Sequence, residues 1–185
     1  MIFAILFALA LARIKGYKLK PLLRTYALYP FAFLTAALIY YQVCVFFHNY
    51  TWIKYAGFIK SIYLFSLVIP FLVYKLYKPG LVGASLIILG TLLNKFVIWQ
   101  NGGKMPVYAT LSRLTGYYSE EAIRTADKIH SIGDDSTKFK LLTDYIDIGY
   151  SILSIGDIFI HSFAFIILFY VIKEVNAREA CAAQV

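Results

Sequence analysis

The sequence predicts an all-α fold, a polytopic membrane bundle of five transmembrane helices with a short amphipathic helix outside the membrane. Hydrophobic residues make up 61% of the 185 residues and charged residues only 15%, and the mean hydropathy is +0.69. A soluble domain of this length has too small an interior to cover so much apolar surface. The apolar residues also gather in five long stretches separated by basic or mixed loops.

The five spans are expected at about residues 1–17, 27–48, 55–74, 81–100 and 150–172, within one integral-membrane domain covering residues 1–185. The first stretch could instead be the apolar region of a signal peptide. No charge precedes it, and cleavage after Ala10 would leave a short signal, so a retained helix is favoured. That helix is short, and Arg13 and Lys15 would have to extend toward the headgroups.

Charge is sorted along the chain, and this predicts the orientation. No Asp or Glu precedes Glu120, whereas twelve Lys and Arg do. The loops at 13–24 and 75–78 are strongly basic and fall on the same side of a five-span bundle. Because basic loops stay in the cytoplasm, the N-terminus is expected outside and the C-terminus inside. Clustered cations beside apolar spans favour lipid headgroups as partners and argue against nucleic acid.

Residues 101–149 are the one long polar segment, with six bases and seven acids, and the orientation places them outside the membrane. Ser119 followed by Glu120 and Glu121 is typical of a helix start. Apolar residues at helical spacing then predict a short amphipathic helix at 120–130. His130 falls in this helix and is expected to be solvated. The whole segment is expected to be ordered, capping the outer ends of the fourth and fifth spans.

Ionisable groups inside the spans are the first candidate site, because burying them in lipid is costly. Lys95 and Asp157 are expected at similar depth and have opposite charge, so they are expected to pair. Asn94 neighbours Lys95, and His161 shares the face of Asp157 one turn further along. Two interpretations stay open: an ion pair that only fixes helix register, or a polar pocket for a ligand or proton.

The segment Asn101-Gly102-Gly103-Lys104-Met105-Pro106-Val107, at the end of the fourth span, is the second candidate. Asn-Gly-Gly permits positive φ, so the chain can leave the helix abruptly. The segment is therefore either a helix end and turn or a loop whose amides line a ligand site. The pocket candidates from both arguments are Asn94, Lys95, Asn101, Gly102, Gly103, Met105, Pro106, Asp157 and His161.

This seven-residue segment resembles the hallmark of a small bacterial integral-membrane family of unknown function. Two further segments are similar to that family: Thr137 with Leu141, Leu142 and Asp144, and Ser154-Ile155-Gly156-Asp157 at the opening of the last span. The resemblance covers roughly residues 80 to 172, and the first three spans match only in hydropathy. It implies a multi-pass protein of the bacterial cytoplasmic membrane and no particular activity.

Two functions are carried forward. The first is a non-enzymatic membrane protein with an outward-facing polar pocket for a small ligand or another membrane protein, acting as a sensor, transporter component or assembly subunit. The second is a membrane-embedded enzyme acting on a lipid or quinone, with Asp157 and His161 as acid and base. A channel or proton path is disfavoured because a chain of ionisable residues is missing from the spans. No catalytic signature is present, and no metal or cofactor is expected.

Overall fold

The structure is a computed structural model that describes residues 2–49, 51–52, 55–125 and 129–182, and it is mostly helical. The α-helices in these residues are, in chain order, α1 (Ile2–Ile14), α2 (Tyr29–Phe46), α3 (Ala56–Ser66), α4 (Val68–Val73), α5 (Tyr77–Gln100), α6 (Leu111–Leu114), α7 (Glu120–Thr125) and α8 (Ile155–Ala182). Four short strands are β1 (Met105–Val107), β2 (His130–Ile132), β3 (Ile146–Asp147) and β4 (Ile152–Leu153). The fold is therefore mostly helical but not all-α as expected, because the polar segment also contains strands.

Within the described part of the chain, three helical segments are long and apolar enough to cross a membrane: Tyr26–Phe46, Tyr77–Gln100 and Ile155–Ala182. They correspond to the second, fourth and fifth expected spans. The first and third expected spans are the shorter apolar helices Ile2–Ile14 and Gly57–Val73. A straight crossing takes about 20 residues, so these two are shorter than a full span.

A proline explains why the third apolar stretch is divided into α3 and α4. Pro70 lies in the first turn of α4 and has no N–H to donate to the carbonyl of Ser66, four residues earlier. The helix breaks at Leu67, which is fully buried. Pro30 lies in the first turn of α2, where the missing N–H has no helical partner to lose.

The chain divides into two compact units. Unit 1 comprises Met1–Ala36, Ile59–Ile87 and His161–Val185. Small residues of α1, Ala8 and Ala12, are fully buried within it, and small residues let helix backbones approach closely. The ring of Phe31 packs on that of the fully buried Tyr63 at 5.0 Å. The C-terminal part of α8 adds an apolar stripe of fully buried residues: Ala164, Ile167, Val171 and Ile172.

Unit 2 comprises Ala37–Phe58 and Ile88–Ile160, and in it two glycines let α5 and α8 cross at close range. A Cβ added at Gly90 would lie 2.3 Å from the carbonyl oxygen of Gly156. A Cβ added at Gly156 would lie 2.0 Å from Asn94 Oδ1 and 2.6 Å from the carbonyl oxygen of Gly90. Only glycine fits at either position, so the backbones of the two helices meet directly.

Residues 101–153 of unit 2 form a small folded region that we call the polar lobe. Strand β1 runs parallel to β2, with Met105 opposite His130, and an isolated parallel bridge joins Val107 to Asp144 on its other side. All three residues of β1 are buried. Strands β3 and β4 pair antiparallel just before α8 begins.

The helix expected at 120–130 is shorter than predicted. Helix α7 begins at Glu120 as expected and is described as far as Thr125; residues 126–128 lie outside the described residues. His130 belongs to β2 and not to a helix. Its place in the strand follows from non-local pairing with β1, which helical spacing in the sequence does not reveal.

Enlarging the residue at the helix crossing should destabilise the protein. Gly156→Ala is expected to lower the free energy of unfolding by about 1–3 kcal/mol, because the added methyl group forces apart backbone atoms that cannot yield. The measurement is thermal or denaturant unfolding in detergent.

Gly57→Ala is the matched control, since a Cβ there meets nothing within 4 Å. This exposed position near the start of α3 should gain up to about 1 kcal/mol from the substitution. Equal effects at the two positions would contradict the close crossing.

Candidate functional site

Asp157 and Ser154 form a reciprocal cap at the start of α8. The Asp157 N–H donates to Ser154 Oγ at 2.9 Å, and the Ser154 N–H donates to Asp157 Oδ2 at 3.3 Å. This is a capping box, with an aspartate in the third helical position. Asp157 therefore lies in the first turn of α8, whereas a span starting at residue 150 places it about 10 Å further along the helix, in the outer half of the membrane. Strand β4 occupies the residues expected to be the start of that helix.

The partner of Asp157 on α5 is Asn94, and the predicted ion pair between Lys95 and Asp157 is wrong. Asn94 Nδ2 donates to Asp157 Oδ1 at 3.0 Å, and Ser154 Oγ donates to Asn94 Oδ1 at 2.8 Å. Lys95 is exposed. Neighbouring helical residues point about 100° apart, so only one of Asn94 and Lys95 can face α8.

The cluster of Asn94, Ser154 and Asp157 satisfies its own hydrogen bonds. Ser154 is fully buried, and the carboxylate of Asp157 also lies at the positive end of the α8 dipole. These bonds join two helices at the point where Gly156 allows contact. Such a network can fix the register of α5 against α8, which is the role that the sequence analysis gave to an ion pair.

His161 and Asp157 fall in different units, so the pocket expected to hold both stays a prediction. His161 belongs to unit 1, and its Nδ1 is buried without a hydrogen-bond partner among the described residues. The hydroxyl of Tyr63, also in unit 1, is likewise buried without a hydrogen-bond partner among the described residues. Two unsatisfied polar atoms in an apolar interior are costly and call for a functional or solvent partner.

The Asn101–Val107 segment ends α5 and starts the polar lobe, as the sequence predicts for a turn. Gly102 and Gly103 have φ values of +68° and +86°. The amide of Asn101 donates to the carbonyl oxygens of Val97 (2.9 Å) and Lys138 (3.1 Å), and its oxygen accepts from the Lys138 N–H (2.9 Å). Asn101 thus pairs with a distant backbone as a strand residue would.

A cavity of about 450 Å³ opens on the polar lobe beside this turn. Its lining combines cationic or protonatable groups with apolar walls, and consists of Lys104, Ile123, Arg124, His130, Ser131, Ile132 and Asp134. His130 Nε2 lies 3.2 Å from Oδ2 of Asp144, which is buried. Sequence reasoning treated His130 as solvated. The signal that could have identified the pair is Asp144 itself, an acid two residues after the apolar pair Leu141–Leu142.

Asp147 organises the other side of the polar lobe. Its carboxylate accepts from the N–H groups of Thr110 (2.6 Å), Ser112 (2.8 Å) and Gly149 (2.8 Å) and from the Ser112 hydroxyl. Partial burial raises the pKa of Asp147, but these hydrogen bonds to the charged form outweigh it and hold the pKa below its ordinary value. Ser112 is the second residue of α6 and is fully buried.

Among the described residues, no group of three or more His, Cys, Asp or Glu side chains is placed to hold a metal ion. The charged groups that line the cavity of the polar lobe are Lys104, Arg124 and Asp134, together with His130, whose ring contacts Asp144.

Replacing Asp147 should loosen the polar lobe in a pH-dependent way. Because the carboxylate is favoured in the folded lobe, its stabilisation is complete above the ordinary aspartate pKa of about 3.9 and is lost as the pH falls through the lower folded value. Asp147→Asn should cost about 1–2 kcal/mol at neutral pH, allowing for partial exposure, and should weaken the acid dependence.

Amide hydrogen exchange across residues 105–149 between neutral and acidic pH measures this effect. Asp135→Asn is the control, because Asp135 is exposed. A lobe equally protected in both variants would show that Asp147 does not hold it.

Comparison with known proteins adds a family and no function. The chain matches a family model described as a family of unknown function, DUF5317, over residues 21–169. The match includes the second and third apolar stretches, which the resemblance noted from the sequence did not cover. No curated protein and no solved structure matches the chain. Since the model spans most of the sequence, the chain belongs to the DUF5317 family of unknown function.

Proposed function

We propose that this protein is a multi-pass protein of the bacterial cytoplasmic membrane, with its N-terminus outside and its C-terminus in the cytoplasm. Three long apolar helices support this. Large apolar side chains on these helices are also exposed, for example Phe33 at 75% and Trp99 at 73%. Helices that face lipid expose such side chains, whereas soluble monomers keep their exposed apolar patches small.

Orientation can be tested with single cysteines in a Cys44→Ala, Cys181→Ala background. Asp135→Cys in the polar lobe should react with an impermeant thiol reagent in intact cells, because the lobe is outside. Lys20→Cys in the basic loop should react only after permeabilisation. Both positions are exposed. The reverse labelling pattern would overturn the orientation.

The function that the geometry supports best is non-enzymatic binding of a small anionic ligand by the polar lobe. The observation that carries it is the cavity between α7 and β2. Lys104, Arg124 and His130 bring positive charge or donors to it, and Ile123 and Ile132 give it apolar walls. A volume of about 450 Å³ lies within the range of about 300–1,000 Å³ typical of small-molecule sites.

His130 is suited to contact such a ligand because Asp144 holds its ring. With Nε2 3.2 Å from Oδ2 of the buried Asp144, the ring of His130 is held in one orientation. A carboxylate or phosphate group fits this charge pattern. The negative charge of Asp134, which also lines the cavity, would repel a second anion. A protein of this kind would act as a sensor, a transporter component or an assembly subunit.

Charge reversal at the cavity should weaken anion binding. Citrate and inorganic phosphate are the probes, titrated into purified protein in detergent and followed by thermal shift and calorimetry. Lys104→Glu is expected to weaken binding at least tenfold, since it removes a cation and adds a repelling charge, together about 1.4 kcal/mol or more.

Lys138→Glu is the matched control, because Lys138 is an exposed lysine of the same lobe that does not line the cavity. If neither probe binds the wild-type protein, or if both variants weaken binding equally, the binding proposal fails.

The second candidate is a membrane-embedded enzyme acting on a lipid or quinone with Asp157 and His161 as acid and base. The buried, unpartnered Nδ1 of His161 favours it, while the engagement of Asp157 in the α8 cap counts against it. His161→Gln should abolish turnover of a labelled lipid or quinone if this candidate is correct, and Lys104→Glu should leave that turnover unchanged.

A further inference from the structure

The structure brings three basic segments of unit 1 together at one end of α8. Asn176, near the end of α8, accepts from the Lys18 N–H at 2.8 Å and donates to the Lys18 carbonyl at 2.9 Å. Two residues further on, the Arg178 guanidinium lies over the Tyr74 ring at 4.8 Å. Tyr74 directly precedes Lys75. The loop at 13–24, the turn at 75–78 and the α8 end are therefore neighbours.

We call this surface the basic end, and it carries nine cations. All nine are exposed: Arg13, Lys15, Lys18, Lys20, Arg24, Lys75, Lys78, Lys173 and Arg178. Unit 1 contains only two acids, Glu174 and Glu179, and Glu174 is paired with Arg178 at 3.0 Å. Such an excess of one charge repels itself, so it requires an anionic partner to be favourable.

Lys75 stands where a glycine would be expected. Helix α4 ends in a Schellman motif: the Leu76 N–H donates to the Phe71 carbonyl at 3.0 Å, and the Lys75 N–H donates to the Leu72 carbonyl at 3.1 Å. The residue at this position is left-handed, and Lys75 has a φ of +53°. A side chain in this conformation is strained, and strain of this kind is kept where a function needs the side chain.

Exposed apolar side chains alternate with the cations. Ile14 lies between Arg13 and Lys15, Leu23 precedes Arg24, and Tyr77 precedes Lys78; Ile14, Leu23 and Tyr77 are all largely exposed. Nucleic acid or a free phosphate offers nothing for these apolar groups. The boundary between lipid headgroups and acyl chains accommodates both kinds of side chain.

We propose that the basic end of unit 1 binds the headgroups of anionic phospholipids, with Lys75 as one of the phosphate-binding groups. The inference rests on the membrane embedding proposed above and is independent of ligand binding by the polar lobe. Clustered Lys and Arg beside transmembrane helices recognise anionic lipids through this chemistry.

Lys75→Gly separates a lipid-binding role from a structural one. Glycine suits the left-handed position, so the variant should fold and be at least as stable in detergent as the wild-type protein. Its affinity for phosphatidylglycerol should nevertheless fall about fivefold, the effect of one cation near a membrane surface. Native mass spectrometry during titration of phosphatidylglycerol into the detergent-solubilised protein measures this affinity.

Lys15→Gln combined with Lys20→Gln should reduce the same affinity about 25-fold. Lys95→Gln combined with Lys138→Gln is the matched control, because it removes two exposed lysines from unit 2. The control should keep wild-type affinity. Unchanged affinity in the Lys75→Gly and double variants, or an equal loss in the control, overturns the inference.

Reconstitution distinguishes this inference from the embedding it rests on. The wild-type protein should enter nanodiscs of phosphatidylcholine and melt at a higher temperature when phosphatidylglycerol is added. Entry without any added stabilisation refutes the basic-end proposal alone, whereas failure to enter either disc refutes the embedding. Full competition by inorganic phosphate or a short DNA duplex would show that the partner is not a lipid.

Discussion

Hydrogen bonding by two asparagine amides is the constraint that ties the C-terminal parts of α5 and α8 to distant segments. Asn101 and Asn176 behave alike: each donates to the carbonyl four residues earlier and to the carbonyl of a distant lysine, and each accepts from that lysine's N–H. The lysines are Lys138 and Lys18. Each amide therefore links its helix to a distant part of the chain: Asn101 links the end of α5 to Lys138, and Asn176 links α8 to Lys18.

The crossing of α5 and α8 uses the same kind of side-chain hydrogen bond, here between the interior of α5 and the first turn of α8. The close contact of Gly90 with Gly156 leaves room for a polar side chain, and Asn94 fills it with bonds to Ser154 and Asp157. Interhelical polar bonds of this type are strongest where water is excluded. Because Asp157 is engaged in these hydrogen bonds, it is poorly placed to act as a catalytic acid or base. The proposed ligand site is therefore in the polar lobe and not between the helices.

Sequence reasoning predicted the apolar stretches and several boundaries, because these are local properties. The end of α5 was recognisable from Asn101 and the two glycines after it, and the start of α7 from Ser119 and the acids that follow. The family match agrees with the motif-based resemblance at the level of an uncharacterised family. Membrane crossing and orientation rest on hydropathy and charge alone and remain proposals.

What the sequence did not reveal depends on non-local pairing. The apolar run before Ser154 looks continuous with the last span, yet it forms β4 against β3, so Asp157 lies nearer the start of its helix than predicted. Hydropathy also cannot tell which of Asn94 and Lys95 faces α8. Strand β1 has three residues, too few for an alternating pattern, and only its partners identify it as a strand.

The parallel pairing of β1 has a consequence for how the protein is made. Its partners, β2 and Asp144, lie far along the chain from Met105, so β1 stays unpaired until the ribosome has synthesised the whole lobe. If the lobe crosses the membrane, it must do so as an extended chain, and its sheet can close only after translocation. Long-range pairing of this kind is slow. The lobe should therefore mature as one of the last steps of biogenesis, after the preceding helices have been inserted.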